Sequence, residues 1–336
     1  MMARPSSSNV PELVCPAGTP AGLRTAVDAG AHSVYCGFRD ETNARNFPGL
    51  NFDRAEMREG IAYAHERGVK VLIALNTFMR AGATDIWKRS VDDAVAAGAD
   101  ALILADAALV AYAYETHPKQ RLHLSVQAAA ATPEAIAFYR DRFGIARIVL
   151  PRVLTVEEIA RLTATAAPCE TEVFVFGGLC VMAEGRCMLS SYATGKSPNM
   201  TGVCSPPSHV EYREENGALM ASVGGFTVER YARDEAAGYP TLCKGRFQAN
   251  DATLHLFEDP VSLNAVELLP RLADIGVAAF KIEGRQRGRA YVAAVVRAFR
   301  RAIDSMAAGG RIDVSELRAL TEGQRDTTGS YKKAWR

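Results

Sequence analysis

The sequence predicts a closed (β/α)8 barrel, a TIM-like α/β fold, with a cysteine-bearing insertion after its seventh strand. Three observations support this prediction. Short apolar runs alternate with longer amphipathic segments, a pattern typical of parallel strands that are covered on both faces. Eight such runs occur, which is the strand number of this barrel. The alternation is interrupted once, by a Gly- and Pro-containing stretch that holds four of the seven cysteines.

The predicted strands are mostly continuous apolar runs. The segments between them carry apolar residues at helical spacing, and several end in Gly just before the next strand, which is a common helix stop. Two phrases, AVDAGAHSVYCG and AVAAGADALILAD, look like copies of one helix–strand unit. The eight strands are predicted at Glu12–Cys15, Ser33–Gly37, Val69–Leu75, Ala101–Leu104, Leu122–Val126, Arg147–Leu150, Glu172–Phe176 and Ala278–Ile282.

A doubly wound open sheet is the alternative fold. It would need a Gly-rich phosphate turn after the first strand, and CPAGTPAG is a poor match to G-x-G-x-x-G. A barrel uses roughly 250 residues. We therefore predict a disordered tail over 1–10, a barrel domain over 11–310 that includes an insertion over 177–246, and a short helix and tail over 311–336.

Composition excludes several classes of protein. The chain has 336 residues, 39 basic and 38 acidic, so a generally basic, nucleic-acid-coating surface is not indicated. No apolar run is long enough to predict a transmembrane helix. The N-terminus lacks the apolar core of a secretory signal. We expect a cytoplasmic protein, in whose reducing surroundings thiols bind metals or stay free rather than pair.

Four cysteines in the insertion form a candidate metal site, with the spacing C-x6-C-x16-C-x38-C. The lack of a C-x2-C pair disfavours a zinc ribbon. Four thiolates can still hold Zn²⁺ or a [4Fe–4S] cluster, and the spacing does not choose between them. Buried structural thiols are the remaining interpretation. The three other cysteines, Cys15, Cys36 and Cys169, lie in or beside predicted strands and are interpreted as core residues.

Several long motifs of the chain carry a family resemblance. The segment EVFVFGGLCVMAEGRCMLSS resembles the signature of the U32 family, which is known as a family of collagenase-like peptidases. Within the family the resemblance is to the branch that acts in ubiquinone biosynthesis, and it covers roughly residues 11–305. The other matching segments are Asp40–Phe52, Leu124–Thr132, Ser190–Pro206, Gly238–Arg246, Ser262–Pro270 and Ala279–Arg287.

This resemblance implies a cofactor, partners and a reaction. It implies a [4Fe–4S] cluster held by Cys180, Cys187, Cys204 and Cys243. It also implies a heterodimer with a UbiV-like paralogue and a UbiT-like lipid carrier that presents apolar intermediates. The pair would hydroxylate the aromatic ring of a prenylated ubiquinone precursor without O₂, with prephenate as the proposed hydroxyl donor. No nucleic acid and no membrane span belong to this expectation.

Such a reaction predicts roles for polar residues that follow the barrel strands, where barrel enzymes carry their chemistry. Arginines bind carboxylates bidentately, so arginines after three strands are candidates to hold the donor. Two amides could orient a carbonyl or hydroxyl group. Ion pairing within the protein is the alternative role for each charged residue. The substrate-binding candidates are Arg45, Asn76, Gln127, Arg152 and Arg285, and the catalytic candidates are Glu283 and Lys281.

Three other functions stay open. One is hydroxylation of an RNA base by a related barrel, which the near-neutral charge disfavours. Another is a cysteine-type peptidase, as the family label suggests. The sequence contains neither H-E-x-x-H nor G-x-S-x-G, and its histidines form no pattern with the cysteines. The third is a structural or regulatory partner whose metal only stabilises the fold.

Overall fold

Eight parallel strands form the wall of a closed barrel in the computed structural model, which describes residues 10–312, 317, 319–321 and 326–332. The described strands of the barrel and of the other segments are, in chain order, β1 (Glu12–Pro16), β2 (Ser33–Cys36), β3 (Lys70–Leu75), β4 (Ala101–Leu104), β5 (Leu122–Leu124), β6 (Arg147–Val149), β7 (Glu170–Gly178), β8 (Val210–Glu215), β9 (Ala218–Val223), β10 (Phe226–Tyr231), β11 (Arg246–Ala249), β12 (Ala252–His255), β13 (Ser262–Asn264), β14 (Ala279–Ile282) and β15 (Asp326–Thr327).

Strands β1 to β7 and β14 make up the barrel, and β14 pairs in parallel with both β1 and β7. Phe280 of β14 closes the ring, since it is in register with Leu13 on one side and Val173 on the other. The predicted (β/α)8 fold is therefore confirmed. The strand bounds differ by a few residues, most at β7, which begins at Glu170 and continues to Gly178.

Most helices connect successive barrel strands and cover the outside of the barrel, whereas α7 and α8 belong to the insertion. In chain order they are α1 (Pro20–Asp28), α2 (Arg54–His65), α3 (Asp85–Ala96), α4 (Ala107–Thr116), α5 (Pro133–Phe143), α6 (Val156–Ala166), α7 (Leu189–Thr194), α8 (Pro198–Thr201), α9 (Leu269–Asp274) and α10 (Arg289–Ala307). No helix in the described part of the chain combines the length and hydropathy that a membrane crossing requires.

Capping residues set where two of these helices begin. Asp53 accepts hydrogen bonds from the first turn of α2, and Glu56 bonds back to the backbone of Asp53. Thr155 and Glu158 form the same reciprocal capping box at α6. These starts limit the lengths of the loops after β2 and β6, which carry two of the predicted arginines.

The barrel has two packed layers, and a cluster of charged side chains closes the N-terminal end of its strands. Large apolar side chains such as Trp87 and Phe299 fill the layer between sheet and helices. At the N-terminal end of the strands, Arg147 is ion-paired with Glu12 at 2.6 Å and with Glu172 at 3.3 Å. The inner layer is small and mostly apolar, and consists of Val14, Tyr35, Leu72, Ala74, Ala101, Ile103 and Ala279.

The insertion leaves the barrel after β7. It contains the short helices α7 and α8, a three-stranded antiparallel sheet of β8 to β10, and the hairpin β11–β12. The chain returns to the barrel sheet at β13, which pairs antiparallel with β7, so the part outside the sheet extends past residue 246.

The C-terminal segment of residues 326–332 packs against the barrel, whereas a polar tail was predicted there. Strand β15 pairs in parallel with β13, and Ser330 and Tyr331 are buried. The two-residue β15 and the three-residue β13 are too short to show an apolar pattern, which is why the sequence did not predict them. Most of the expected helix after residue 310 and nearly all of the expected tail over 1–10 lie outside the described residues.

Candidate active site

A cavity of about 280 Å³ opens at the C-terminal ends of the barrel strands, beneath the insertion. Loops after β2, β3, β5, β6 and β14 form its barrel side, and the cysteine-bearing segment forms the other side. The structure brings every predicted site residue to this one cavity. They are Arg45, Asn76, Gln127, Arg152, Cys180, Cys187, Cys204, Cys243, Lys281, Glu283 and Arg285.

The four cysteines of the insertion influence one another electrostatically. Burial is the main cause that raises the pKa of the Cys243 thiol to about 12, and the neighbouring thiols, Cys204 first, contribute to this increase. Burial also raises the pKa of the Cys180 thiol to about 11; the Glu184 carboxylate adds to this and Arg152 opposes it. Cys204 is exposed. The four sulfur atoms therefore share one region at the cavity wall.

This set of donors has the chemistry of an iron–sulfur site, since clusters are held by cysteine thiolates. Among the described residues, no group of three or more His, Cys, Asp or Glu side chains is arranged to hold a metal ion as it stands.

Two glycines allow the insertion to lie directly on the barrel loops. A Cβ atom at Gly202 would lie 1.0 Å from the carbonyl oxygen of Ala44, and one at Gly185 would lie 2.1 Å from that of Gln127. Both glycines have positive φ, at 69° and 78°. Arg45 Nη1 donates a hydrogen bond to the carbonyl oxygen of Gly202, across the same contact. Larger residues at these positions would push the cysteines away from the barrel.

Asn76 supports the loop that carries Arg45. Its Oδ1 accepts a hydrogen bond from the backbone N–H of Ala44 at 3.1 Å. Asn51 donates to the carbonyl oxygen of Arg45 at 2.7 Å. The amide oxygen of Asn76 is thus engaged within the protein.

Arg285 is buried at the cavity wall without an ion pair to any carboxylate of the described residues. Its Nη1 donates to Oδ1 of Asn43 at 2.7 Å, and its guanidinium lies 5.5 Å from the ring centroid of Tyr35. Burial is the main cause that lowers its pKa to about 10; Tyr35 opposes this decrease and the nearby charge of Arg45 contributes to it. A buried cation in this state favours an anionic ligand.

Lys281 and Glu283 lie in different surroundings although they are close in sequence. Lys281 Nζ is 2.6 Å from Oε1 of Glu172 and 4.0 Å from the ring centroid of Tyr35; burial lowers its pKa against the effect of Glu172. Glu283 accepts a hydrogen bond from the N–H of Gly178 at 3.1 Å. Burial raises the pKa of Glu283, but the charges of Arg45 and Arg152 outweigh it, so the net shift is downward. Glu283 is therefore ionised at neutral pH.

Glu184 is a cavity residue that sequence reasoning missed. Its Oε1 lies 2.6 Å from Nε of Arg152, and both side chains are 7% exposed. Arg152 also donates to the carbonyl oxygen of Gly178 and stacks 4.5 Å from the centroid of Phe174. The position of Glu184 between two cysteines in GGLCVMAEGRC could have indicated a role at the site. Only the fold shows that Arg152, its partner, lies in the loop after β6.

Comparison with known proteins identifies the family. The family model of peptidase family U32 matches residues 18–332. The chain belongs to this family. The tRNA hydroxylation protein P of Haemophilus influenzae is 31% identical to it, and the alignment covers 96% of this chain and 76% of that protein. The protein of the same name from Escherichia coli is 33% identical, with 92% and 71% covered.

A solved structure, that of the U32 peptidase Mk0906, also resembles this U32 chain. It is 15% identical, covers 86% of this chain and 98% of its own, and gives a TM-score of 0.49.

Among the described residues, no histidine lines the cavity of this U32 chain. His255, which is the histidine nearest in sequence to Cys243, contacts the carbonyl oxygen of Lys244 at 3.0 Å. The described residues therefore form no Cys–His pair in this cavity.

Proposed function

We propose that this chain is a UbiU-type, cytoplasmic subunit of an oxygen-independent hydroxylase that acts on the aromatic ring of prenylated ubiquinone precursors. It works with a UbiV-like partner and a UbiT-like lipid carrier, and prephenate is the hydroxyl donor. The observation that carries the proposal is the cavity itself. It joins four cysteines to buried arginines at the C-terminal end of a barrel, in a chain with U32 relatives that are named for tRNA hydroxylation.

Cys180, Cys187, Cys204 and Cys243 would hold a [4Fe–4S] cluster. When bound, the cluster supplies one-electron chemistry that a hydroxylation without O₂ can use. All four cysteines line the cavity, which is consistent with this role.

The chain's own residues bind the donor and shape the cavity. Arg285, which has no carboxylate partner among the described residues, binds a carboxylate of the donor. Arg45 lies close enough to Arg285 for its positive charge to attract the same carboxylate. Ionised Glu283 holds the N–H of Gly178 and offsets the charge of Arg45. The rings of Tyr35 and Phe174 provide an apolar wall for an aromatic ring.

The outer surface of the insertion carries exposed hydrophobic residues, which are consistent with contacts to a protein partner and to a carrier of an apolar substrate. Large hydrophobic side chains that are exposed concentrate there, and such patches commonly mark interaction sites. The rings of Tyr192 and Phe226 lie 6.4 Å apart on this surface. The exposed large hydrophobic residues of the insertion are Met188, Tyr192, Tyr212, Phe226, Tyr239, Leu254, Leu256 and Phe257.

Cysteine variants test the cofactor. Cys180→Ala removes a cavity thiol, whereas Cys169→Ala removes a buried thiol at the opposite end of β7 and serves as the control. After anaerobic purification the Cys169 variant should keep the iron and sulfide of the wild type, and the Cys180 variant should lose most of both. Equal loss in both variants, or a colourless wild-type protein with bound zinc, would refute the cluster.

A deletion strain tests the substrate. Deleting the gene in its own organism should remove ubiquinone from anaerobic cultures and leave it in aerobic ones. The wild-type gene should restore ubiquinone and the Cys180→Ala gene should not. Normal anaerobic ubiquinone in the deletion strain would overturn this function.

Hydroxylation of an RNA base is the second candidate, because both relatives described above are named for tRNA hydroxylation. The same deletion strain separates the two candidates. Loss of a hydroxylated nucleoside from digested RNA, with ubiquinone unchanged, would establish the RNA function instead.

A further inference from the structure

Asn43 is fully buried behind the cavity wall and connects two of the arginines that line the cavity. Its Oδ1 accepts a hydrogen bond from Nη1 of Arg285 at 2.7 Å and another from the backbone N–H of Arg45 at 3.1 Å. Arg45 lies in the loop after β2 and Arg285 in the loop after β14. One amide oxygen therefore joins two loops that are distant in the chain.

Three hydrogen bonds fix the orientation of the Asn43 amide. Both groups that contact Oδ1 are donors, and Nδ2 donates to the carbonyl oxygen of Phe38 at 3.2 Å. An exchanged amide would place the two donors against its own N–H₂ group. A Cβ atom at Gly37 would lie 2.5 Å from Cγ and from Nδ2 of Asn43, so the amide is also tightly packed. The oxygen is therefore held toward Arg285.

Arg285 retains nitrogen atoms that a ligand in the cavity can reach. Within the described residues, Nη1 is the nitrogen of its guanidinium that is hydrogen-bonded. Nε and Nη2 are not among the fully buried polar atoms without a partner, so they keep accessible surface. Because Arg285 lines the cavity, this surface faces the ligand space. Asn43 does not line the cavity, so it holds the guanidinium from the protein side.

The neutral charge of Asn43 distinguishes Arg285 from another cation of the cavity. Nζ of Lys281 lies 2.6 Å from a carboxylate oxygen of Glu172, which compensates its charge. The acceptor at Arg285 is an amide oxygen, which accepts a hydrogen bond but carries no net charge. A carboxylate in its place would pair with the guanidinium and weaken its attraction for an anionic ligand.

We propose that Asn43 is a positioning residue for carboxylate binding, which orients the Arg285 guanidinium toward the cavity through a neutral acceptor and so leaves its charge available. The same oxygen atom holds the backbone of Arg45, so the two cations keep a fixed arrangement. This inference rests on the proposed function, in which Arg285 binds a carboxylate, and deepens it by a residue that does not touch the ligand.

Two probes of similar shape test this role on the anaerobically purified full chain. 3-Phenylpropionate and 3-phenylpropionamide share a ring and a chain and differ in charge. In calorimetric titrations, the wild type should bind the carboxylate at least about tenfold more tightly than the amide, as a hydrogen bond between charged groups provides. This ratio of affinities measures the charge that the cavity offers to a ligand.

Substitutions of Asn43 separate orientation from charge. Asn43→Asp keeps an acceptor for both donors but adds a negative charge, so the affinity for phenylpropionate should fall to that for the amide, whose own affinity stays unchanged. Asn43→Ala keeps the charge of Arg285 but removes the acceptor. It should reduce the ratio only in part and lower the urea midpoint below that of Asn43→Asp.

Asn216→Asp is the control variant for the added charge. Asn216 is exposed and lies between β8 and β9, and its positive φ of 51° is one that aspartate also adopts. This variant adds the same charge far from Arg285 in the chain, and it should bind both probes as the wild type does.

Some outcomes would overturn the inference. Equal affinity of the wild type for the two probes would mean that Arg285 offers no charge to a ligand. An Asn43→Asp variant that keeps the wild-type ratio, or loses affinity for both probes equally, would show that Asn43 only supports the fold. The ratio is measured without turnover, so a deletion strain with normal ubiquinone would refute the proposed function and leave this inference standing. Lost ubiquinone with an unaltered ratio in Asn43→Asp would do the reverse.

Discussion

Nε of Arg152 lies 2.6 Å from Oε1 of Glu184, and this ion pair joins the barrel to the insertion. Arg152 follows β6 and Glu184 lies between two of the cysteines, 32 positions later in the chain. Burial lowers the pKa of Arg152, but the charges of Glu184 and Cys180 outweigh it, so the net shift is upward. The pair therefore holds the cysteine-bearing segment over the cavity.

Breaking this ion pair should destabilise the protein strongly. Arg152→Met leaves the Glu184 carboxylate buried without its partner, which costs about 3–5 kcal/mol in free energy of unfolding. Urea unfolding measures the change. Arg271→Met is the control, because its pair with Glu157 is exposed and should contribute little. Similar losses in both variants would contradict the structural role of the buried pair.

Gly185 should tolerate substitution less well than Gly195. Both have positive φ, at 78° and 69°, so alanine costs roughly 1–2 kcal/mol at either position. Nothing lies within 4 Å of a Cβ atom at Gly195, whereas one at Gly185 would meet the carbonyl oxygen of Gln127. Gly185→Ala should therefore cost about 1–3 kcal/mol more than Gly195→Ala in urea unfolding. Equal costs would show that the insertion does not press on this loop.

Stability should fall as the pH drops below about 6.5. Burial lowers the pKa of His123 well below its ordinary value, and the charges of Arg147 and Arg121 lower it further. The unfolded chain then binds the proton more readily than the folded one between the two pKa values, so acid favours unfolding. His123 alone should contribute a slope that approaches about 1.4 kcal/mol per pH unit below pH 6.5, measured by urea unfolding at pH 7.5, 6.5 and 5.5.

The variant His123→Gln should flatten this slope without removing it. His32 contributes in the same direction, because burial and the charge of Arg300 also lower its pKa. An unchanged slope in His123→Gln would show that His123 is not the group responsible.

The C-terminal segment should contribute to stability through Tyr331. Its hydroxyl donates to the carbonyl oxygen of Phe174 in the barrel wall, and the side chain is buried. Tyr331→Phe leaves that buried carbonyl without its donor, which costs about 1–3 kcal/mol in free energy of unfolding. Tyr192→Phe is the control, since Tyr192 is 87% exposed and should behave as the wild type. An unchanged free energy of unfolding in Tyr331→Phe would mean that the segment is not tightly packed.

The sequence by itself determined the barrel and the residues that face its open end. A continuous apolar run such as β3 is a local property, because a strand covered on both faces must be apolar at successive positions. Residues that follow such runs, among them Arg45 and Arg285, then lie at the C-terminal end of the barrel by geometry alone. The four cysteines of the insertion could be placed there for the same reason.

Only the tertiary structure decided how these residues are paired. The sequence does not show that Arg152 is neutralised by Glu184 while Arg285 is not, because ion pairing depends on distances between loops that are far apart in the chain. The same reason applies to the pairing of β13 with β15, and to Tyr331, whose burial depends on a wall built by β7. Local patterns specify which residues are buried, and the packing of distant segments specifies which charges and donors remain available for a ligand.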